Sequence, residues 1–451
     1  MDKNSRNVKN STHRYGTRDN RNNRISKNHT RNNLKASRTK SNQINLIKLF
    51  SVLVVFLIII FVIVSIISKN SKKIDDVSDV SNGTFEVSSE NQNSSSKTST
   101  PAKEDVSFTM CAIGDVMCHN TQYWDAYQKS TDDYDFSYVY TDIERYTKQP
   151  DITIANLETS FAGKERGYSN YPTFNSPDEL AYSLKDLGVD VLSTAGNHCL
   201  DMGYSGLSRT IDVLDKADIS HLGTYKTQKE RDTILIKYVK GVKIAFIDYT
   251  YGTNGIPLPS DKPYCVNLID KDLIKKDIES AKELNPDIIV ACMHWGTEYR
   301  TTADDEQKDL ADFLFKNDVD IILGNHPHTL EPMEKRTITL DDGTTKEGFV
   351  IYALGNFICD QNAENTRNSI ILNLSITRHS DGKISIDKAE YTPIYMYKDP
   401  SLSIRRMKLI DIETAIENYE NGSDTSIGQT LYSYLKQQLD RIKSIVGNEI
   451  V

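Results

Sequence analysis

The sequence has little cysteine. Its 451 residues include six, none of them in a CxxC pair, which excludes a disulfide-built scaffold and a zinc ribbon. No segment repeats at a period of about 20–50 residues, so solenoids and propellers are excluded. The basic N-terminal segment has almost no aromatic side chain to stack on a base, and no nucleic-acid partner is expected. No Ala-x-Ala pattern follows the one long apolar run, where Ser68-Lys69-Asn70-Ser71-Lys72-Lys73 stands instead. That composition favours an uncleaved anchor over a cleaved secretory leader.

What is present is a sharp division of charge. The net charge is −9, yet residues 1–48 hold 13 Lys/Arg against two Asp, a charge of +11 that leaves −20 for the remainder. Residues 49–67 read LFSVLVVFLIIIFVIVSII without a charge, and at helical rise they span roughly 28 Å, close to a bilayer core. The expected topology is a single-pass cell-membrane protein. Residues 1–48 form a basic cytoplasmic tail and the C-terminal part is extracytoplasmic. Residues 68–105, rich in Ser, Asn, Lys and Glu, read as a disordered linker.

From Val106 onward the pattern is periodic. Short apolar runs predict strands at 108–114, 152–156, 189–195, 243–249, 287–293, 320–324 and 349–355. Leucines at helical spacing (Leu180, Leu184, Leu187; Leu207, Ile211, Leu214; Leu310, Phe313, Leu314) lie between them. Alternating strands and helices predict an α/β fold of sheets sandwiched by helices. Extended runs after Asn368 read as closing antiparallel strands, and residues 398–451 as a C-terminal helical extension to a domain spanning 106–397.

Polar residues gather where the predicted strands end, which is where α/β sheets build sites. These ends carry Asp115; Asn156 and Glu158; Asn197, His198 and Asp201; His294 and Glu298; His326 and His328; and Asn356 and Asp360. Carboxylates, an Asn carbonyl and imidazoles together suit Mn, Fe or Zn better than Ca, as one ion or two. Cys118 and Cys199 stand beside these residues, and a thiol ligand or a disulfide between them remains open. Trp295 reads equally as core or as groove lining. Glu298 reads as the outer partner of an imidazole or as a helix start.

In order along the chain, GDVM, ANLE, GNH-x-LD-x-G, MHWGTEY, GNHPH and LGNF-x-x-DQ resemble the capsule-synthesis CapA family, which includes the PgsA-type component of poly-γ-glutamate synthesis. The resemblance covers roughly residues 106–362. It implies a metallophosphoesterase-like (calcineurin-like) four-layer α/β/β/α sandwich behind an N-terminal transmembrane helix. It implies metal ligands at Asp115, Asn197, His294, His326 and His328, with Asn156 or Glu158 in the bridging position. His198 takes the place of the residue that protonates a leaving group, with Asp115 beside it in the catalytic set. Trp295, Glu298, Asn356 and Asp360 are then substrate contacts or partners of ligands. The chain departs from the superfamily's Asp-x-His, having Met117 where the His would stand, and a thioether is a poor ligand for a hard ion.

The resemblance implies assembly, transfer or export of an anionic polymer such as poly-γ-glutamate. A metal-dependent phosphoesterase or amide hydrolase is the alternative, and a scaffold for membrane synthase subunits a third. The acidic ectodomain repels a polyanion unless metals or a basic groove compensate, and Lys164, Arg166 and Arg300 lie near the motifs.

Overall fold

The structure, a computed structural model, describes residues 104–340, 342–423 and 426–450. The expected tail (1–48), membrane span (49–67) and nearly all of the linker (68–105) lie outside the described residues. Among the described residues, no helix is long and apolar enough to cross a membrane.

The apolar runs form the strands, and polar caps start several of the helices between them. The chain opens on β1 (Val106–Val116), α1 (Asn120–Ala126), a small hairpin of β2 (Tyr127–Gln128) and β3 (Asp133–Tyr134), and α2 (Glu144–Lys148). Next come β4 (Ile152–Leu157), α3 (Glu179–Asp186), β5 (Val191–Ser193), α4 (Gly203–Lys216), β6 (Ser220–Leu222) and α5 (Gln228–Arg231). They are followed by β7 (Leu235–Val239), β8 (Val242–Thr250), α6 (Lys271–Glu283), β9 (Ile288–His294), α7 (Asp305–Lys316) and β10 (Ile321–Asn325). The last elements are β11 (Met333–Thr339), β12 (Thr345–Ile351), β13 (Asn356–Ile358), β14 (Asn368–Arg378), β15 (Ile384–Lys398), β16 (Met407–Asp411), α8 (Ile412–Glu420) and α9 (Gln429–Val446). The Asp304 carboxylate caps α7 by accepting from Gln307 N, and Asp270 caps α6 by accepting from Leu273 N, each satisfying an otherwise unpaired helix-start donor.

Two sheets result. The first runs β16-β15-β14-β1-β4-β5-β6 with β13 beside β1, and the second runs β11-β12-β10-β9-β8-β7. Strands β1, β4, β5 and β6 are parallel, as are β8, β9, β10 and β12. The period-2 alternation of a strand assigns each face. Phe108, Met110 and Ala112 of β1 join Ile244 and Phe246 of β8 and Val290 of β9 in one core between the sheets. The alternate residues Cys111 and Ile113 pack with Leu180 and Leu184 of α3 and Leu214 of α4. On the far side, Ala245, Ile247 and Ala291 pack with Ile278 of α6 and Leu314 of α7. Helices thus cover the outer faces of two stacked sheets. Each large aliphatic side chain buried this way contributes about 1.5–3 kcal/mol.

Two features differ from the sequence expectation. The run 349–355 is not one strand. It ends as β12 at Ile351 and restarts as β13 at Asn356, because Gly355 takes φ 71° and turns the chain under β1. Residues 398–451 hold the expected helices, α8 and α9, but not helices alone. They contribute β16 to the first sheet, and Ile416, Leu435, Ile442 and Val446 enter the core between the sheets. The apolar residues of MKLID make a strand because Tyr395 and Met396 of β15 offer an unpaired edge.

Where β1 passes over this turn, the backbones nearly touch. A Cβ at Gly114 would lie 1.8 Å from Gly355 O, and Asp115 N donates to that same carbonyl at 2.9 Å. The β1–β4 register shifts between Ile113 and Asp115, a bulge that re-aims the following side chain. Gly114→Ala is therefore expected to cost about 3 kcal/mol through overpacking, read as a lowered midpoint in thermal unfolding. A variant as stable as the parent would show that the two backbones are not in contact.

Candidate metal centre

The parallel strands of both sheets end on one side of the sandwich, and their terminal residues face a common pocket. Asp115 comes from the end of β1 and Glu158 follows β4. His294 ends β9, and His326 and His328 follow β10. All five are at least 96% buried. Their ligand atoms form two groups, Glu158–His294–His326 and Asp115–Glu158–His328, in each of which the atoms lie within 4.8 Å of one another. Glu158 belongs to both. One Glu158 oxygen lies 3.6 Å from His294 Nε2 and the other 3.7 Å from His328 Nδ1.

The side chains around them hold this arrangement. Asn156 Nδ2 donates to Asp115 Oδ1 at 2.9 Å, and its own Oδ1 accepts from Ser193 Oγ at 3.0 Å. Of the two residues left open for the bridging position, Glu158 faces both His294 and His328, while Asn156 Nδ2 braces Asp115 and lies 3.5 Å from His294 Nδ1. Asn197 Oδ1 lies 2.9 Å from His294 Nε2. Asn356 Oδ1 lies 3.1 Å from His328 Nδ1, and its Nδ2 donates to Gln361 Oε1 and Thr366 O, both at 2.9 Å. His326 and His328 have φ of 101° and 61°, values that non-glycine residues avoid and that cluster at functional sites.

Electrostatically the pocket is unbalanced. Burial raises the Glu158 carboxyl well above its ordinary range, with the attraction of His328 opposing. Burial holds His294 well below the usual imidazole value and pushes His326 down to about 3. Burial also acts to lower His328, but the carboxylates of Glu158 and Asp115 overcome it and raise it to about 9. Asp115 Oδ2, both Glu158 oxygens and His326 Nδ1 have no hydrogen-bond partner. Buried polar atoms are rarely left so, and two carboxylates with three imidazoles are the donor set of a divalent transition ion. The residues fit such a group.

Beside the pocket, His198 Nδ1 lies 2.8 Å from Asp201 Oδ2, which also accepts from Phe174 N at 2.6 Å. The Phe174 ring packs edge-on against His198. Asp201 thus fixes the imidazole's orientation, as carboxylates do for working histidines.

Other predicted residues lie elsewhere. Trp295 does not line a groove. It is buried in the core of the second sheet, where Nε1 donates to Tyr352 O at 2.9 Å. Trp295→Phe should leave ion binding unchanged and lower stability by about 1 kcal/mol for the lost bond. Unchanged stability with altered ion binding, by calorimetry, would place the indole at the pocket instead. Asp360 belongs to neither ligand group. Arg367 and Lys398 neutralise it, both at 2.7 Å. Glu298 is exposed, and its charge acts on Glu158 and His328 from the rim. Met117 is buried, with its N–H on Ile358 O. Cys118 and Cys199 are both free, and neither ligand group contains a cysteine. Lys164 is paired with Asp132 at 3.0 Å, while Arg166 donates to Met202 O at 2.8 Å.

Sequence reasoning missed Tyr251 and Asn254. The half-exposed Tyr251 ring lies nearly parallel to His294 and 4.5 Å from the His326 ring centroid. No motif marks this loop.

The family described as bacterial capsule synthesis protein PGA_cap matches residues 109–361. A capsule biosynthesis protein CapA of Bacillus anthracis is 27% identical over 280 residues, 60% of this chain and 64% of that protein. A PGA biosynthesis protein CapA of Bacillus subtilis (strain 168) is 31% identical over 241 residues, 52% of this chain and 60% of that protein. The chain therefore spans about three fifths of the length of these relatives. Among solved structures, the NAD nucleotidase of Haemophilus influenzae matches with a TM-score of 0.43 and 15% identity, over 76% of this chain and 60% of that one. The calcineurin-like phosphoesterase YfkN of Bacillus subtilis matches with a TM-score of 0.37 and 16% identity, over 75% of this chain and 98% of that one.

Proposed function

This chain belongs to the bacterial capsule synthesis protein family PGA_cap, and on that premise we propose that its pocket is a divalent-metal centre serving the assembly, transfer or export of an anionic capsule polymer of the poly-γ-glutamate kind. The observation that carries the proposal is one of position: the matched residues, 109–361, contain every member of both ligand groups. The names of the two Bacillus relatives, for capsule and PGA biosynthesis, support the same pathway.

In this reading the sandwich is a metallophosphoesterase-like fold. The uncharged run 49–67 anchors it, with residues 1–48 in the cytoplasm and the pocket outside, within reach of membrane synthase subunits. Glu158, His294 and His326, with Asn197, hold one Mn, Fe or Zn ion. Asp115, Glu158 and His328 offer a place for a second. A bound divalent ion supplies Lewis-acid polarisation of an anionic oxygen and counter-charge for a polyanion. The remaining chemistry belongs to the chain. Asp115 and Glu158 set the pocket's negative charge, Asn156 keeps Asp115 in place, and Asn356 orients His328. Arg300, exposed beside Tyr299 on the rim, adds positive charge where a polymer carboxylate would arrive.

The test is genetic. Glu158→Gln in the producing cell is expected to abolish polymer output while the protein's abundance in the membrane fraction stays normal. Normal polymer output from that variant contradicts the proposal.

A second reading, a metal-dependent phosphoesterase or amide hydrolase, is favoured by the His198–Asp201 pair. His198 would there give a proton to the leaving group, a role worth about 100-fold or more. Purified chain with manganese and a generic phosphodiester tests it. Turnover no higher than that of His198→Ala removes it.

A further inference from the structure

Two loops from different sheets meet over the pocket. Residues 196–201 follow β5 of the first sheet. Residues 251–256 follow β8 of the second. They join through side-chain amides. Asn197 Nδ2 donates to Asn254 Oδ1 at 3.2 Å, and Asn254 Nδ2 lies 3.4 Å from His198 Nδ1.

An asparagine amide has a carbonyl end and an amino end of nearly equal size, and only the carbonyl can serve a cation. Pocket shape alone does not choose between them. A neighbour that accepts a hydrogen bond does, by attracting the amino end. In this chain Asn254 is such a neighbour, and the Tyr251 hydroxyl lies within reach of the same side chain. With Asn197 Nδ2 held by Asn254 Oδ1, the Asn197 carbonyl is left toward His294 Nε2, 2.9 Å away. Asn254 is fixed in turn by its own loop. Its φ of 51° is a left-handed conformation that asparagine tolerates, and Gly255 follows with φ 75°. Thr253 Oγ donates to Ile256 O at 2.6 Å, and Ile256 N donates to Thr253 O at 2.9 Å. Tyr251 N donates to His294 O at 3.0 Å and ties the loop to β9.

We infer that Asn254 is a positioning residue, which sets the Asn197 carbonyl toward the metal centre. The inference rests on the reading of the pocket as a metal centre. Asn254 is itself exposed, so replacing it removes little packing and the variant is expected to fold.

The experiment is a cobalt(II) titration of the purified chain, followed by calorimetry and by the visible absorption of the bound ion. Metal-free thermal unfolding serves as a control. Asn254→Ala is expected to bind cobalt about tenfold more weakly, the usual effect of losing a partner of a metal ligand, and to shift the absorption band. Its metal-free unfolding midpoint should fall only slightly, because alanine suits the left-handed φ of 51° less well than asparagine does. Asn254→Asp, which keeps an acceptor for Asn197 Nδ2, is expected to restore the parent's band. Parent-like affinity and band in Asn254→Ala overturn the inference and leave the metal centre standing. So does a band in Asn254→Asp that stays at the alanine position. A parent chain that binds no cobalt overturns both.

Discussion

Glu158→Gln is expected to weaken divalent-ion binding by more than about 100-fold, since even the outer partners of ligands typically cost 10- to 100-fold. The reason is its place in the geometry. It is the one residue shared by both ligand groups, so a single substitution removes an anionic ligand from each. The metal-free protein should respond differently. Burial raises the Glu158 carboxyl well above the ordinary carboxylate range, with His328 opposing, whereas a glutamine of nearly the same shape carries no proton to titrate. Below pH 4.5, where the unfolded carboxyl is also protonated, the metal-free variant and parent should unfold together. As pH rises above 4.5 the unfolded parent gives up a proton that burial makes the folded carboxyl keep, and the variant has no such group, so the variant becomes the more stable. Adding manganese should raise the unfolding midpoint of the parent and leave the variant's unmoved. A variant that gains as much stability from manganese as the parent would show that Glu158 is not shared between ions.

The metal-free protein is also expected to lose stability on both sides of neutrality. His326 is lowered from 6.5 to about 3, so between those values the unfolded chain binds more protons and stability rises with pH. His294 and, at about 4, His119 act in the same direction. Full titration of His326 alone corresponds to about 5 kcal/mol. His328 is raised from 6.5 to about 9. Its contribution is complete below 6.5 and disappears as pH rises through about 9, a change of about 3 kcal/mol. Glu158, also raised, contributes stability that is complete below 4.5 and is lost as pH rises above it. Divalent ions take the place of the proton among these groups and should flatten the alkaline limb. Urea unfolding at a series of pH values, with a chelator and with manganese, measures both limbs. An alkaline limb equally steep with and without manganese would contradict the assignment.

Much of the pocket was legible in the sequence because each part is local. A continuous apolar run followed at once by Asp115, His294 or GNHPH identifies a strand end, and strand ends of a parallel sheet share one side. Residues whose role depends on how the two sheets stack were not legible. Asn254 and Tyr251 sit in an ordinary Tyr-Gly-Thr-Asn-Gly turn, and only the approach of β8 to β5 brings them to Asn197. The choice between Asn156 and Glu158 had the same cause. Both residues reach the pocket, and only the packed structure shows that Asn156 braces Asp115 while Glu158 faces His294 and His328. Trp295 follows a pocket residue in sequence, but strand alternation turns it to the opposite face. The strand β16 was hidden because its five residues pair only with β15, which the sequence places across a loop.

The measurement that tests the central claim most directly is an anomalous difference map from crystals of this protein grown with manganese. The account predicts density between Glu158 and the His294–His326 pair, with a second peak between Glu158, Asp115 and His328 at higher manganese. Manganese bound elsewhere on the chain, with no density against Glu158, would contradict it.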